Sequence, residues 1–288
     1  MAHPQIAAFP RLGIENTPPS RLIFGQKTLL GRTMHDIRYD EKNDEFLVTN
    51  PFAQAILVFP GGADGNAPPL RYIQGPKTLL AGAVYSGLDR VEVDNVNDEI
   101  IVGVSGQIMF FPRTAQGDVA PLRTIKSDHP QFRIGQTTAV DAIHNLVVVG
   151  GTLASANTGT TSRAAILGGG GAIAIFDRTA SGLVKPKAVI GGPKTEIVRI
   201  NQMAIHAPKG WIVATQPGAG GEQEPENTFV GIWSINDNGD VPPRWKLGGP
   251  KSTLLKPRGV TLDAKNKEII VADMRTNAIL TFYFPEIF

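Results

Sequence analysis

The sequence predicts an all-β fold, and within that class a β-propeller, in which four-stranded antiparallel sheets called blades are arranged radially. Three observations predict it. A unit of roughly fifty residues repeats along the 288-residue chain, each copy contains four short segments of strand character, and turn residues separate those segments. No helical periodicity interrupts the pattern. Radial repetition of such units protects the edges of the sheets, which favours a propeller over an open sheet.

The clearest marker of the repeat is a glycine-led motif that follows a strand with a basic first residue. The motif reads Gly-Gln-Lys-Thr at 25–28, Gly-Pro-Lys-Thr at 75–78 and 192–195, and Gly-Pro-Lys-Ser at 249–252. The basic strand starts are Arg21, Arg71, Arg123, Lys187 and Arg244. Because the motif recurs with the repeat, we assign it a structural role in the crossover from one blade to the next.

The last copy shows the order of strands within a unit. Strand A covers 259–263, strand B 268–273 and strand C 278–282, and strand D is the basic-headed segment seen in the other copies. Strand A occurs five times, the earlier copies being 37–40, 91–94, 138–141 and 203–206. Five blades are therefore favoured, while a C-like segment at 5–10 leaves a sixth blade open.

The two ends of the chain predict how the ring closes. The last copy has strands A, B and C but no D, whereas residues 21–24 have the pattern of a D strand. We expect Arg21 to Phe24 to pair with the C-terminal blade and to close the ring. All residues from 1 to 288 would then form one domain.

Composition restricts the classes of partner and of site. The chain has 28 Lys and Arg against 26 Asp and Glu, and the net charge of +2 predicts no nucleic-acid or membrane partner. The absence of cysteine excludes disulfides, thiolate metal sites and a cysteine nucleophile. No apolar run spans a bilayer and residues 1–20 lack the features of a signal peptide. We expect a soluble protein, either cytoplasmic or exported with its leader removed.

The repeat resembles the NHL-type β-propeller repeat. The resemblance rests on Gly-Pro-Lys-Ser at 249–252, Pro-Arg-Gly-Val at 257–260, Glu-Ile-Ile-Val-Ala-Asp at 268–273 and Ala-Ile-Leu-Thr-Phe at 278–282, and the copies extend it over nearly the whole chain. It implies four-stranded blades, usually six, in proteins that bind proteins, RNA or small molecules or that act as lyases and hydrolases. This chain departs from that pattern in its five units, longer blades and expanded loops, and a fold does not determine a function.

A column of five different polar residues at the starts of the A strands is the candidate binding site. These residues are His35, Asp89, Gln136, Asn201 and Arg258. In a propeller such positions surround one mouth of the central channel, so we predict that they bind a small molecule or a protein segment there. The alternative is a set of solvated turn residues around a water-filled channel. No cofactor is predicted, although His35, Asp89 and Asn201 could together hold calcium or a transition metal.

The positions that follow this column carry opposite charges in neighbouring copies. Asp36 and Arg90 form one such pair and Arg38 and Glu92 another. We predict that one or both make ion pairs between blades with a structural rather than a catalytic role.

The sequence leaves open whether the protein is an enzyme. A propeller hydrolase or lyase, with or without a divalent cation, would use His35 or His206 as general base beside Asp89 and Arg258. His206 replaces the aspartate that ends strand A in the other copies, and sequence drift at a turn is the simpler explanation of this change. Repeats without a catalytic motif favour a binding protein.

Two connections between strands B and C, at 151–171 and 216–228, are much longer than their counterparts. Both are expected on the face that carries the polar column. Loops of this length are either functional, here as a lid over the channel mouth, or tolerated insertions.

Overall fold

The computed structural model describes residues 4–32, 34–80, 87–154, 170–218 and 228–288. Across these ranges the chain is all-β, and the fold is the predicted five-bladed β-propeller. None of the helices in these ranges is long and apolar enough to cross a membrane.

The first strands along the chain form a small sheet and two blades. Strand β1 (Gln5–Ala8) pairs antiparallel with β2 (Arg21–Phe24). Blade 1 contains β3 (Ile37–Asp40), β4 (Glu45–Asn50), β5 (Ala55–Pro60) and β6 (Arg71–Ile73). Blade 2 contains β7 (Glu92–Asp94), β8 (Glu99–Val104), β9 (Gln107–Pro112) and β10 (Arg123–Ser127).

The remaining strands form blades 3 to 5. Blade 3 contains β11 (Phe132–Asp141), β12 (Leu146–Leu153), β13 (Gly171–Asp177) and β15 (Ala188–Gly191). Strand β14 (Gly182–Val184) follows β13 in sequence, but it pairs parallel with β10 of blade 2. Blade 4 contains β16 (Met203–His206), β17 (Trp211–Gln216), β18 (Phe229–Ser234) and β19 (Trp245–Gly248). Blade 5 contains β20 (Pro257–Asp263), β21 (Glu268–Asp273) and β22 (Ala278–Tyr283). Short 3-10 helices cover Gln26–Thr28, Pro51–Ala53, Pro76–Thr78, Pro193–Thr195, Ala207–Lys209, Pro250–Ser252 and Pro285–Ile287.

The predicted strand pairing at the chain ends is wrong. Arg21–Phe24 pairs with Gln5–Ala8, from Gln5 opposite Phe24 to Ala8 opposite Arg21. Blade 5 is a three-stranded sheet within the described residues, with β22 at its edge. The D-type segment therefore pairs with the C-like segment nearest to it in sequence, because a short connection costs less loop-closure entropy than a long one.

The chain divides into two compact units, Met1–Val104 with Met109–Arg123, and Ser105–Ile108 with Thr124–Phe288. The core of each unit lies between neighbouring sheets, where the B and C strands supply most of the buried side chains. Four of the C strands, β5, β9, β13 and β18, are buried along nearly their whole length. The prediction that residues 1–288 form one domain stays a prediction.

Backbone hydrogen bonds join strand β2 and the D strands of blades 1 to 3 to the turn between strands C and D of the blade that follows. In the first unit Ile23 bridges in parallel to Gly65 and Ile73 to Gly117, and in the second unit Ile190 bridges to Gly239. The β10–β14 pairing is a longer version of the same contact. The sequence analysis missed β14 because a three-residue strand inside a turn has no periodicity of its own.

The glycine-led motif forms the crossover from strand D to strand A, as predicted. Its threonine or serine hydroxyl donates to the carbonyl of its own glycine, as Thr195 does to Gly192 over 2.7 Å. Gly192 has φ +130°, a conformation open to glycine but strained for other residues, and Asp240 lies against it. Asp240 Oδ1 in turn accepts the backbone N–H of Lys194 over 2.7 Å.

We expect Gly192→Ala to lower the free energy of unfolding by about 1–3 kcal/mol, because the backbone conformation is strained for alanine and an added Cβ would lie 2.6 Å from the Asp240 carboxyl. Gly249→Ala is the matched control. Gly249 opens the last copy of the motif at φ +85°, and an added Cβ there meets nothing within 4 Å. Urea unfolding of both variants measures the difference, and equal losses would show that the contact with Asp240 contributes nothing.

Candidate functional site

The predicted polar column lies at the beginnings of the A strands. His35 precedes β3, Asp89 precedes β7 and Asn201 precedes β16, while Arg258 is the second residue of β20. Gln136 falls inside β11, where the pairing with β12 shifts register between Ile134 and Thr138. His35 and Asp89 belong to the first unit, and the other three residues belong to the second.

Within the first unit, His35 and Asp89 come into direct contact. Nδ1 of His35 is hydrogen-bonded to Oδ1 of Asp89, and the two side chains keep 41% and 23% of their surface exposed. A neutral imidazole that donates its Nδ1 hydrogen to a carboxylate presents Nε2 as an acceptor. In that tautomer the partly exposed pair presents an imidazole nitrogen that can accept a hydrogen bond from a ligand.

Arg90 holds this pair in place from the buried side. Its Nη1 donates to the backbone carbonyl of His35 over 2.7 Å and to that of Asp89 over 3.3 Å, and lies 3.4 Å from Oδ2 of Asp89. Sequence analysis identified Arg90 only as a partner of Asp36 and missed this contact. The signal available was its position directly after Asp89, which places a long cationic side chain beside that carboxylate.

A charged cluster of Asp36, Arg38, Arg90 and Glu92 lies next to the pair. Nη2 of Arg38 is 3.5 Å from Oε2 of Glu92, which confirms that predicted ion pair, and Asp36 is attracted to both arginines. Burial raises the pKa of Asp36, although Arg38 and Arg90 act against it, and burial likewise raises the pKa of Glu92 against Arg38. Ionising these carboxyls is therefore costly, and the arginines reduce that cost.

The same cluster makes a backbone latch between blades 1 and 2. Oδ2 of Asp36 accepts the N–H of Val91 over 3.1 Å. The hydroxyl of Thr49, near the end of β4, accepts the N–H of Asp36 and donates to the carbonyl of Asp89, both over 3.0 Å.

In the second unit, neutral side chains build the equivalent latch between blades 4 and 5. Oε1 of Gln202 accepts the N–H of Val260 over 2.6 Å, and Thr215 Oγ1 accepts the N–H of Gln202 and donates to the carbonyl of Arg258. Thr137 Oγ1 donates to the carbonyl of Asn201 over 2.8 Å. Thr137, Gln202 and Asp36 each follow a residue of the polar column and each bond to the next blade. Thr137 and Gln202 do so through uncharged groups, whereas Asp36 in blade 1 uses a carboxyl group.

Arg258 lines an open cavity of about 400 Å³ in blade 5. The other lining residues are Ala272, Asp273, Met274, Asn277, Ala278 and Ile279. Asp273 uses both carboxylate oxygens on backbone N–H groups of its own blade, so the cavity presents mainly apolar atoms beside one guanidinium.

His206 is the last residue of β16. Its ring meets the ring of Phe288 edge-on with centroids 5.1 Å apart, and burial together with Lys209 lowers the pKa of its imidazole. Its Nδ1 is buried and makes no hydrogen bond within the described ranges. This packed environment favours a structural role over that of a general base.

That no cofactor is bound stays a prediction, with a metal at His35, Asp89 and Asn201 as its alternative. In the part of the chain that the structure describes, no three His, Cys, Asp or Glu side chains are placed to hold an ion together. His35 and Asp89, two of the three possible ligands, bond to each other. Most of the predicted lid, at 155–169 and 219–227, lies outside the described residues.

Compared with known proteins, the chain matches no protein-family model and no curated protein. Its function is therefore inferred from the geometry of the site.

Proposed function

We propose that the protein is a binding propeller that holds a small molecule at the His35–Asp89 pair. The observation that carries the proposal is the hydrogen bond between these two partly exposed side chains, which directly precede two A strands. Sequence analysis predicts a binding site at these positions. The resemblance to NHL-type repeats, whose members include small-molecule binders, agrees with this proposal.

The chemistry of the pair defines the class of ligand. In the tautomer of His35 whose Nδ1 donates to Asp89, the remaining ring nitrogen, Nε2, is an acceptor, and the carboxylate of Asp89 can only accept. Arg90 is held by two backbone carbonyls and is only 9% exposed, so it orients the pair rather than meeting a ligand. The ligand must then donate hydrogen bonds, as hydroxyl and ammonium groups do. Polyols and amines are the classes we propose.

Nuclear magnetic resonance of protein labelled at histidine tests the proposal. Sorbitol and putrescine serve as hydroxyl and ammonium probes, and we expect one or both to shift the ring signals of His35. His144 is an internal control, because its Nδ1 pairs with Asp141 Oδ2 over 2.8 Å at a turn outside the column. A generic effect on imidazole–carboxylate pairs would shift both residues.

We expect Asp89→Asn to weaken binding of the active probe at least about tenfold, since it removes the charge that fixes the imidazole and one acceptor of the ligand. Asp141→Asn is the matched variant and should leave probe affinity unchanged. Failure of both probes to shift His35, or equal shifts at His35 and His144, would contradict the proposed function.

A further inference from the structure

Blade 5 ends on a strand whose outer edge has no partner strand in the described ranges. Strand β22 pairs with β21 from Ala278 opposite Asp273 to Tyr283 opposite Glu268, and the sheet stops there. In blades 1 to 4 a D strand covers this edge.

The register identifies which residues are left uncovered. Phe284 N–H donates to the Lys267 carbonyl as Gly61 N–H donates to that of Asp44 in blade 1, so Ile279 and Thr281 are equivalent to Ile56 and Val58. Ile56 and Val58 are fully buried and pair with Ile73 and Arg71 of β6. Ile279, in contrast, is 61% exposed, and Tyr283 is 70% exposed.

The peptide groups of these residues are directed outward. In an antiparallel pair, alternate residues bond to the neighbouring strand and the residues between them face the other way. Since Phe284 bonds to β21, the N–H and C=O groups of Ile279, Thr281 and Tyr283 face the open edge. An unpaired row of this kind is a template for another strand.

The complete blades show which sequence such an edge accepts. In blades 1 and 2 the third residue of strand D is a fully buried isoleucine, Ile73 or Ile125. In these two blades the first residue is arginine, and Arg71 donates to both carboxylate oxygens of Glu45, which opens β4, over 2.7 and 2.6 Å. Glu268 opens β21 at the position equivalent to Glu45.

We propose that the edge of β22 binds an extended segment of a partner protein that carries a basic residue followed, two positions later, by isoleucine or leucine. The segment adds a fourth strand to blade 5 by β-augmentation, with backbone hydrogen bonds supplying affinity and the two side chains supplying specificity. The edge of β22 belongs to the second unit and the His35–Asp89 pair to the first. The inference does not depend on the proposed function.

The probe is a fluorescein-labelled peptide that copies residues 70–77, Leu-Arg-Tyr-Ile-Gln-Gly-Pro-Lys, titrated with the full-length protein and followed by anisotropy. We expect saturable binding that Thr281→Pro weakens at least about tenfold, because proline removes an outward N–H. Proline is tolerated on an edge whose N–H faces solvent, so the β21–β22 pairing should survive. Thr281→Val, which keeps the N–H, is the matched control and should bind as the natural protein does.

Two further arms make the outcome decisive. A peptide with Asp in place of its isoleucine and Glu in place of its arginine should not bind, and equal binding of both peptides overturns the proposal. Hydrogen exchange of the unliganded monomer should be fast at the amides of Ile279 and Thr281. Slow exchange there, or a dimer that Thr281→Pro dissociates, would show that the edge is already covered by this chain or by a second copy and would also overturn it.

Discussion

Replacing Asp36 by alanine is expected to lower the free energy of unfolding by about 3–5 kcal/mol, the cost of removing one partner from a buried ion cluster. Asp36 is 7% exposed and attracts both Arg38 and Arg90, so its loss leaves buried positive charge with less compensation. The N–H of Val91 also loses its acceptor. Urea unfolding followed by circular dichroism measures the change.

Gln202→Ala is the matched control for this substitution. Gln202 occupies the equivalent position in blade 4 and accepts the N–H of Val260 without carrying a charge. Its removal should cost about 1–3 kcal/mol, the penalty for leaving one buried polar group without its hydrogen bond. If Asp36→Ala cost no more than Gln202→Ala, the charges around Asp36 would contribute nothing to stability.

Asp36 and Gln202 share one role, as acceptors of a backbone N–H of the next blade, and Asp36 has a second role beside Arg90. The repeat requires an acceptor for the first N–H groups of the next A strand, and either an amide or a carboxylate supplies it. The carboxylate in addition compensates Arg90, which holds the backbone of His35 and the side chain of Asp89. Asp36→Asn should therefore keep most of the latch and still weaken ligand binding at the His35–Asp89 pair.

Most of the fold follows from local patterns. The predicted A strand at 37–40 and C strand at 55–60 coincide with β3 and β5, because aspartate and asparagine turns bound them sharply. At the β3–β4 turn, for example, Asp40 accepts hydrogen bonds from the backbone and side chain of Asn43. Such turns are encoded within a few residues and can be identified without knowing the rest of the structure.

The pairing of β2 could not be predicted because it depends on competition between distant segments. Residues 5–10 and 278–282 both have the pattern of a C strand, and a D strand can pair with either. The outcome depends on loop closure and on packing, neither of which is a property of the strand itself. The observed partner of β2 is the segment close to it in sequence.

Part of the geometry around His35 can likewise be predicted from local patterns. Alignment of the repeats identified His35 and Asp89 as equivalent positions, and these two side chains do meet. It could not show that the guanidinium of Arg90 reaches back to the carbonyl of His35, because the reach of a long side chain is not expressed in the period of the repeat. The alignment also identified Asn201 and Arg258, whose backbone carbonyls accept from Thr137 and Thr215 in the second unit.

The other large effect is expected at Asp273, where Asp273→Asn should cost about 3 kcal/mol near neutral pH, the upper end for hydrogen bonds to a charged group. Asp273 Oδ2 accepts the N–H groups of Leu255 and Lys256 over 2.8 and 2.7 Å, and Oδ1 accepts those of Arg275 and Thr276 over 2.9 and 3.0 Å. An asparagine has one oxygen for these donors, and its amide group would face two N–H groups without accepting from them.

The cost of Asp273→Asn should also depend on pH. Burial alone would raise the pKa of Asp273, but the four N–H donors together hold it below its ordinary value of 3.8. A carboxyl with a lowered pKa in the folded state contributes stability above the unfolded pKa and loses it as pH falls through the folded one. The difference in unfolding free energy between the natural protein and Asp273→Asn should therefore be constant from about pH 5 to 7 and shrink below about pH 4.

Gln216→Ala provides the control that does not titrate. Gln216 ends β17 as Asp273 ends β21, and it holds its own crossover through the carbonyl of Glu196 and the N–H of Arg199. Its amide has no charge to lose, so the cost of this substitution should not change between about pH 2.5 and 7. The prediction would be contradicted if the cost of Asp273→Asn were equally constant over that range. The ionised carboxylate would then not be what holds the crossover before β20, and an uncharged acceptor would serve in blade 5 as Gln216 does in blade 4.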